Sequence, residues 1–283
     1  MLSVAKVASY PAFILHRMWE RSPKQIAARL TRPLRRPRPT WSAVTGGPLG
    51  GCELLLDSRA NPYWKEMLTG NFDQFLYSKL VASTDVQGKT VWDIGAHIGY
   101  ASLMFAALVG EKGRVIAFEP SVFNLKRMKE HLERNSLLAQ RIQIMSVAVS
   151  NEEREFEFVV SADVDGGMSS GSHLDASFAP LEESAYDCFR RIRVPGVTLD
   201  AALDRGDIPP ANILKIDVEG AESFVLEGGL NFIRERRPIL LIEIHSVVAM
   251  FHVTCILEGL AYRTEIIEES GPSRCFIAAM PRA

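Results

Sequence analysis

From Thr90 to the end of the chain, short apolar runs alternate with segments whose apolar residues recur every three or four positions. Few architectures satisfy such an alternation. Strands that are apolar throughout must be covered on both faces, and helices between successive strands supply that cover, so the pattern predicts an α/β fold built on a parallel sheet. The expected strands are Thr90–Ile94, Arg114–Phe118, 142–149, 155–160, 192–197, 213–218, the run ILLIEIH opened by Pro238, 262–267 and 274–279. Between them the spacing predicts a helix over ASLMFAALVG that ends at Gly110. A second is set by Val122, Leu125, Met128 and Leu132, with Lys126, Arg127, Lys129, Glu130, Glu133 and Arg134 facing water. Thr198 caps TLDAAL, a short helix over 221–227 stops at Gly228, and another covers 247–259. Upstream, Tyr63, Trp64, Met67, Leu68, Phe72, Phe75, Leu76 and Leu80 give residues 61–83 helical spacing, interrupted near Gly70. Residues 162–187, rich in Gly, Ser, Asp and Ala, read as a long loop of the kind that is usually functional. In such sheets ligands gather at the carboxyl ends of the central strands.

Charge divides the chain into two parts. Residues 1–40 hold nine Lys or Arg against one acid, Glu20, so a net of +8 is followed by a body of −10. The expected organisation is a basic arm and linker over 1–45 and a catalytic-sized domain over 46–283. The arm suits an anionic membrane surface or an acidic partner, or it is a solvated leader; its proline cluster breaks the helix a transit peptide forms. The acidic body argues against nucleic acid. Lys6, Pro11, His16 and Arg17 break the N-terminal apolar run, which excludes a spanning helix there. Cys52, Cys188, Cys255 and Cys275 show no metal or disulfide spacing, which fits a reducing, cytoplasmic location. With 47% hydrophobic and 23% charged residues, disordered and coiled-coil classes fall away.

Four motifs carry the chemistry. In VWDIGAHIGY a strand ends at Asp93 and turns through Gly95 and Gly99 into a helix, leaving room for a ligand against backbone N–H groups. The GxGxxG spacing of dinucleotide sites is absent, which disfavours a nicotinamide dehydrogenase. In RVIAFEP, Glu119 ends the next strand at the place where an acid holds ribose hydroxyls. In NILKIDVEGAE, Lys215 and Asp217 sit in and at the end of an apolar strand, so each needs a partner or a reaction. Glu219 and Glu222 fall at the next helix start, where Glu222 is expected to offset the helix dipole. Finally, LLIEIH places Glu243 and His245 at the neighbouring strand end, His245 as a general base.

Together, DIGAHIGY, AFEPS, VTLDAAL, KIDVEGAE and IEIH resemble, over about residues 70–280, the FkbM-type family of S-adenosylmethionine-dependent methyltransferases. The resemblance implies a Rossmann-like class I methyltransferase fold, a seven-stranded, mostly parallel sheet with one antiparallel strand. It implies S-adenosylmethionine as cofactor and methylation of a hydroxyl on a sugar, glycan or secondary metabolite. Asp93, Gly95 and Gly99 would border the methionine part and Glu119 the ribose, with Ala96, Tyr100, Pro120 and Ser121 as neighbouring contacts. Asp73, in GNFDQF, matches an acidic residue the family commonly carries before the first strand. His97 departs from the family's usual Asn. Asp217, His245 and Lys215 are the expected catalytic residues, with the 162–187 loop closing over the acceptor. Magnesium held by Asp217 and Glu243 is the less favoured variant, and a catalytically silent binding protein docking through its arm is the alternative function.

Overall fold

The computed structural model describes residues 38–58, 62–161, 172–174, 189–271 and 274–282. The basic arm before residue 38 and most of the 162–187 loop, including its expected closure over an acceptor, lie outside them. The described chain opens with an antiparallel hairpin of β1 (Thr40–Ala43) and β2 (Glu53–Leu56). The linker expected to reach residue 45 therefore gives way to paired strand by Thr40. The helical region that follows is divided into α1 (Pro62–Thr69) and α2 (Gln74–Ser83). Gly70 makes the break: its φ is +78°, and a Cβ there would lie 2.2 Å from the Gly46 carbonyl oxygen.

The expected alternation follows as β3 (Thr90–Ile94), α3 (Tyr100–Val109), β4 (Arg114–Phe118), α4 (Val122–Arg134), a short α5 (Ser136–Ala139) and β5 (Ile142–Met145). The predicted strand over 142–149 is in fact two, because β6 (Ala148–Val149) leaves the main sheet for a smaller one. There β6 pairs parallel with β9 (Phe189–Val197), which pairs antiparallel with β7 (Glu155–Ser161), and β7 pairs with β8 (His173–Leu174). The loop expected over 162–187 thus carries a strand pair, Phe158 opposite Leu174. The chain then runs through α6 (Leu199–Asp204), β10 (Ile213–Ile216), α7 (Glu222–Glu227), α8 (Leu230–Arg236), β11 (Ile239–Ile244), α9 (Val247–Gly259), β12 (Tyr262–Gly271) and β13 (Arg274–Pro281).

Seven strands form the main sheet in the order β12-β13-β11-β10-β3-β4-β5. Neighbours from β11 to β5 pair in parallel, whereas β13 runs antiparallel to both β11 and β12, so a single strand is reversed. Period-two alternation splits each central strand between two cores. Val91, Ala117, Ile213 and Leu241 face the core shared with α2 and α3, while Trp92, Ile94, Ile116, Leu214 and Ile242 face that of α6 to α9. Each Val, Leu or Ile among them contributes about 1.5–3 kcal/mol by leaving water. Trp92, fully buried, also donates its Nε1–H to the Pro209 carbonyl and packs 4.4 Å from the Phe232 ring.

Two helix expectations are corrected in α4. Val122 is exposed, and Arg127 is buried rather than wet. Arg127 bonds the Leu55 carbonyl and pairs with Glu130 at 2.9 Å. Nearby, His131 accepts the Leu55 N–H at Nε2 (3.0 Å) and donates from Nδ1 to the Ile98 carbonyl (2.9 Å). Burial pushes its pKa down to about 4, keeping the ring neutral. The N-terminal hairpin is thereby tied to the turn after β3.

Candidate active site

The turn after β3 owes its shape to glycine. Gly95 has φ +83°, and a Cβ on it would stand 1.8 Å from the Asp217 carbonyl oxygen, so the ends of β3 and β10 can close together only without a side chain. Gly95 and Ala96 donate their N–H groups to the Phe118 carbonyl at 3.0 and 2.9 Å, fixing the turn to the end of β4. His97 takes φ +52°, a left-handed conformation in which Asn, Asp and His are enriched. The departure from Asn therefore leaves the backbone turn intact, and the His97 ring stacks on Trp64 at 6.0 Å and 20°. Among the described residues five non-glycines have positive φ, and three of them, Asp73, His97 and Glu219, line one cavity. Such strain concentrates where ligands are held.

Glu119 ends β4 with only 4% of its surface exposed. One carboxylate oxygen accepts the His97 N–H (2.8 Å); the other accepts the Ser121 N–H (2.8 Å) and the Asn124 amide (3.3 Å). Burial nevertheless raises its pKa to about 7 against those lowering contacts. Asp73, at the start of α2, is likewise raised to about 7 by burial and by Asp217.

Lys215 and Asp93 lie opposite each other in the β10–β3 register. The Lys215 ammonium donates to the Gly95 carbonyl (2.9 Å) and pairs with Asp217 Oδ2 (3.1 Å) and Asp93 Oδ1 (3.3 Å). Burial works against its charge, but the Asp217 and Asp93 carboxylates prevail and lift its pKa above the ordinary lysine value. Asp93, fully buried, takes the Ser102 hydroxyl at 2.6 Å. Asp93, expected to border the cofactor, is not among the residues lining the cavity, and its carboxylate holds Lys215 and the Ser102 hydroxyl of α3. Lys215, expected to be catalytic, is held by three partners as a fixed cation.

At the end of β11, His245 is 1% exposed. Its Nδ1 lies 2.6 Å from Glu222, which is fully buried and also accepts the Gly220 N–H at 2.9 Å. The helix-dipole role expected for Glu222 is thus replaced by a specific bond. The other ring nitrogen, Nε2, faces Glu219 at 3.4 Å and Asp217 and Glu243 at 3.5 Å. Burial alone would depress the imidazole, yet Glu222, Glu219 and Asp217 raise its pKa to about 9. The expected general-base role needs the neutral ring, whereas these carboxylates favour its protonated form. Burial would raise Asp217 too, but Lys215 and His245 hold it below the carboxylate range. Glu243 is raised to about 8 by burial and by Asp217.

These groups converge on a cavity of about 580 Å³, within the range of small-molecule sites. Asp73, Gly95, Ala96, Tyr100, Glu119, Pro120, Lys215 and Asp217 all line it, whereas Asp93, Gly99, Ser121 and His245 do not. Val147, Ala148, Val149, Phe158 and Leu174 give one wall an apolar face. The smaller sheet that supplies this wall, Trp64 on α1, and the Glu222–His245 bond were not foreseen. Only the burial of a charged residue could have pointed to Glu222, and burial is not visible in one sequence. The lining residues Tyr100 and Trp64 bury a hydroxyl and an indole N–H that find no partner among the described residues.

One reversed strand in seven, a glycine turn after β3 and a carboxylate ending β4 are the marks of a Rossmann-like methyltransferase. The model of the Methyltransferase FkbM domain matches residues 93–264, and the chain belongs to the FkbM methyltransferase family. It is 26% identical over 195 residues to the Hexuronic acid methyltransferase AglP of Haloferax volcanii, covering 66% of this chain and 69% of that one. The crystal structure of Methyltransferase FkbM from Methylobacillus flagellatus KT aligns with TM-score 0.48 and 19% identity over 67% of this chain. This chain spans 43% of that protein's length. Aeropyrum pernix fibrillarin, solved with natively bound S-adenosyl-L-methionine, aligns with TM-score 0.44 and 12% identity, covering 71% and 74% of the two chains. No helix among the described residues is long and apolar enough to cross a membrane.

Proposed function

We propose that the protein methylates a hydroxyl oxygen of a sugar, using S-adenosylmethionine. The observation that carries this reading is the continuity of one cavity from Glu119 to the Asp217, Glu219 and Glu243 carboxylates. The residues present fit the cofactor. Glu119 would hold ribose hydroxyls, the 147–149 wall with Phe158 and Leu174 would cover a base, and the 95–99 turn, Asp73 and Tyr100 would border the methionine part. The bound cofactor supplies an activated methyl group. The protein's share is alignment, exclusion of water and removal of the acceptor's proton.

Asp217, anionic and fixed by Lys215, orients an acceptor hydroxyl by accepting its hydrogen bond, and the surrounding carboxylates take up the proton. Eight lining carboxylates, including Glu268 and Glu269, against Lys215 and Arg274 suit a hydroxyl-rich acceptor better than an anionic one. That AglP is a hexuronic acid methyltransferase supports a sugar; a uronic acid acceptor here would have to recruit Arg274 from its 2.8 Å pair with Glu219. The test is transfer of label from methyl-labelled S-adenosylmethionine to a panel of neutral sugars and uronic acids. Labelled methyl ether on a sugar, abolished by Asp217→Asn with cofactor binding retained, is expected. A folded protein that does not bind the cofactor would overturn the reading.

A further inference from the structure

We infer that the end of β11 is a binding site for a divalent transition-metal ion, held by Asp217, Glu243 and His245. One donor atom from each of the three residues lies within 4.8 Å of the others. His245 Nε2 stands 3.5 Å from both Asp217 Oδ1 and Glu243 Oε1. That exceeds an ordinary N–H···O hydrogen bond, and it matches donors arranged around an ion: bonds of about 2.1 Å in tetrahedral geometry space neighbouring ligands about 3.4 Å apart.

A second observation comes from the other side of the ring. His245 is 99% buried, and its Nδ1 is backed at 2.6 Å by Glu222, which is itself fully buried and held by the Gly220 N–H. A carboxylate behind one ring nitrogen fixes the tautomer and aims the other nitrogen, the arrangement that supports histidine as a metal ligand. Glu219 Oε2 lies 3.4 Å from Nε2 but is held by Arg274 at 2.8 Å, so the donor set is the three residues named. One imidazole with two carboxylates favours zinc, manganese or iron(II) over magnesium, which prefers oxygen alone. Asp217, Glu219 and Glu243 line the cavity, so an ion here would be open to an acceptor's oxygen. Cation binding does not depend on the methyl acceptor proposed above.

The experiment uses the full chain stripped with EDTA and titrated calorimetrically with ZnCl2, MnCl2 and MgCl2, with S-adenosylmethionine titrated in parallel to confirm folding. One equivalent of zinc or manganese is expected to bind, more tightly than magnesium. Affinity should fall at least about 10-fold in Glu243→Gln and His245→Gln, and about 10–100-fold in Glu222→Gln through loss of the backing carboxylate. A wild type that binds cofactor but no ion overturns the site and leaves the methyltransferase reading standing. Undiminished binding in the folded variants overturns it as well. Should a variant fail to fold, X-ray absorption of the zinc-loaded wild type decides: an imidazole with carboxylate oxygens supports the site, and a shell without nitrogen refutes it.

Discussion

Glu119 makes the ligand-free protein lose stability as pH rises. Its folded pKa, about 7, lies above the ordinary 4.5, so the folded state holds the proton more tightly than the unfolded chain. That contribution is fully present below pH 4.5 and is lost as pH climbs through 7. Each pKa unit corresponds to about 1.4 kcal/mol, so the displacement amounts to about 3 kcal/mol, most of it falling between pH 5 and 8.5. Glu243 slopes the same way, while His131, depressed to about 4, slopes oppositely as pH falls below 6.5. The clean quantity is therefore a difference between two proteins. Glu119→Gln replaces a titrating group by one of the same shape, whatever its fixed cost against the His97 and Ser121 amides. Urea denaturation of both proteins at half-unit intervals from pH 5 to 8.5, without cofactor, should show the gap closing in the variant's favour by about 2–3 kcal/mol toward alkaline pH. Parallel curves would refute the reasoning, because they would mean that Glu119 does not hold its proton in the fold.

Gly95→Ala should destabilise the protein by more than about 3 kcal/mol or prevent folding, since it adds a 1.8 Å backbone collision to left-handed strain. Gly51→Ala, at φ +91° with nothing within 4 Å, should cost only the strain, about 1–2 kcal/mol; thermal melts compare the two. Lys215→Met strands the fully buried Asp93 carboxylate and should cost about 3–5 kcal/mol, part of which Asp93→Asn in the same chain restores; no restoration would sever the pair. His131→Leu leaves the Leu55 N–H and Ile98 carbonyl unpaired, at about 1–3 kcal/mol each, and should flatten the loss of stability between pH 6.5 and 4 seen by denaturation.

What could be read from the sequence was what is local. Thr90–Ile94 and Arg114–Phe118 are short, mostly apolar runs bounded by glycine or charged residues, and the structure starts and ends them at those residues. Glycine at 95, glutamate at 119 and aspartate at 217 report backbone and strand-end positions that a parallel sheet brings together, so this side of the cavity could be sketched from order alone. The hairpin at residues 40–56 and the β6-β9-β7-β8 sheet depend on partners far along the chain, and their short strands carry no period long enough to announce them. The side around the end of β11 shows the limit most sharply. Glu222 and His245 are 23 residues apart, and Glu222 stands at a helix start where an acid is expected for the dipole alone. Only the fold shows that this carboxylate is fully buried behind the imidazole, and that single contact changes the role of the histidine. With Glu222 behind it and three carboxylates before it, His245 is a cation or the ligand of one. In the proposed reaction the acceptor's proton would then pass to the carboxylates that line the cavity rather than to the imidazole.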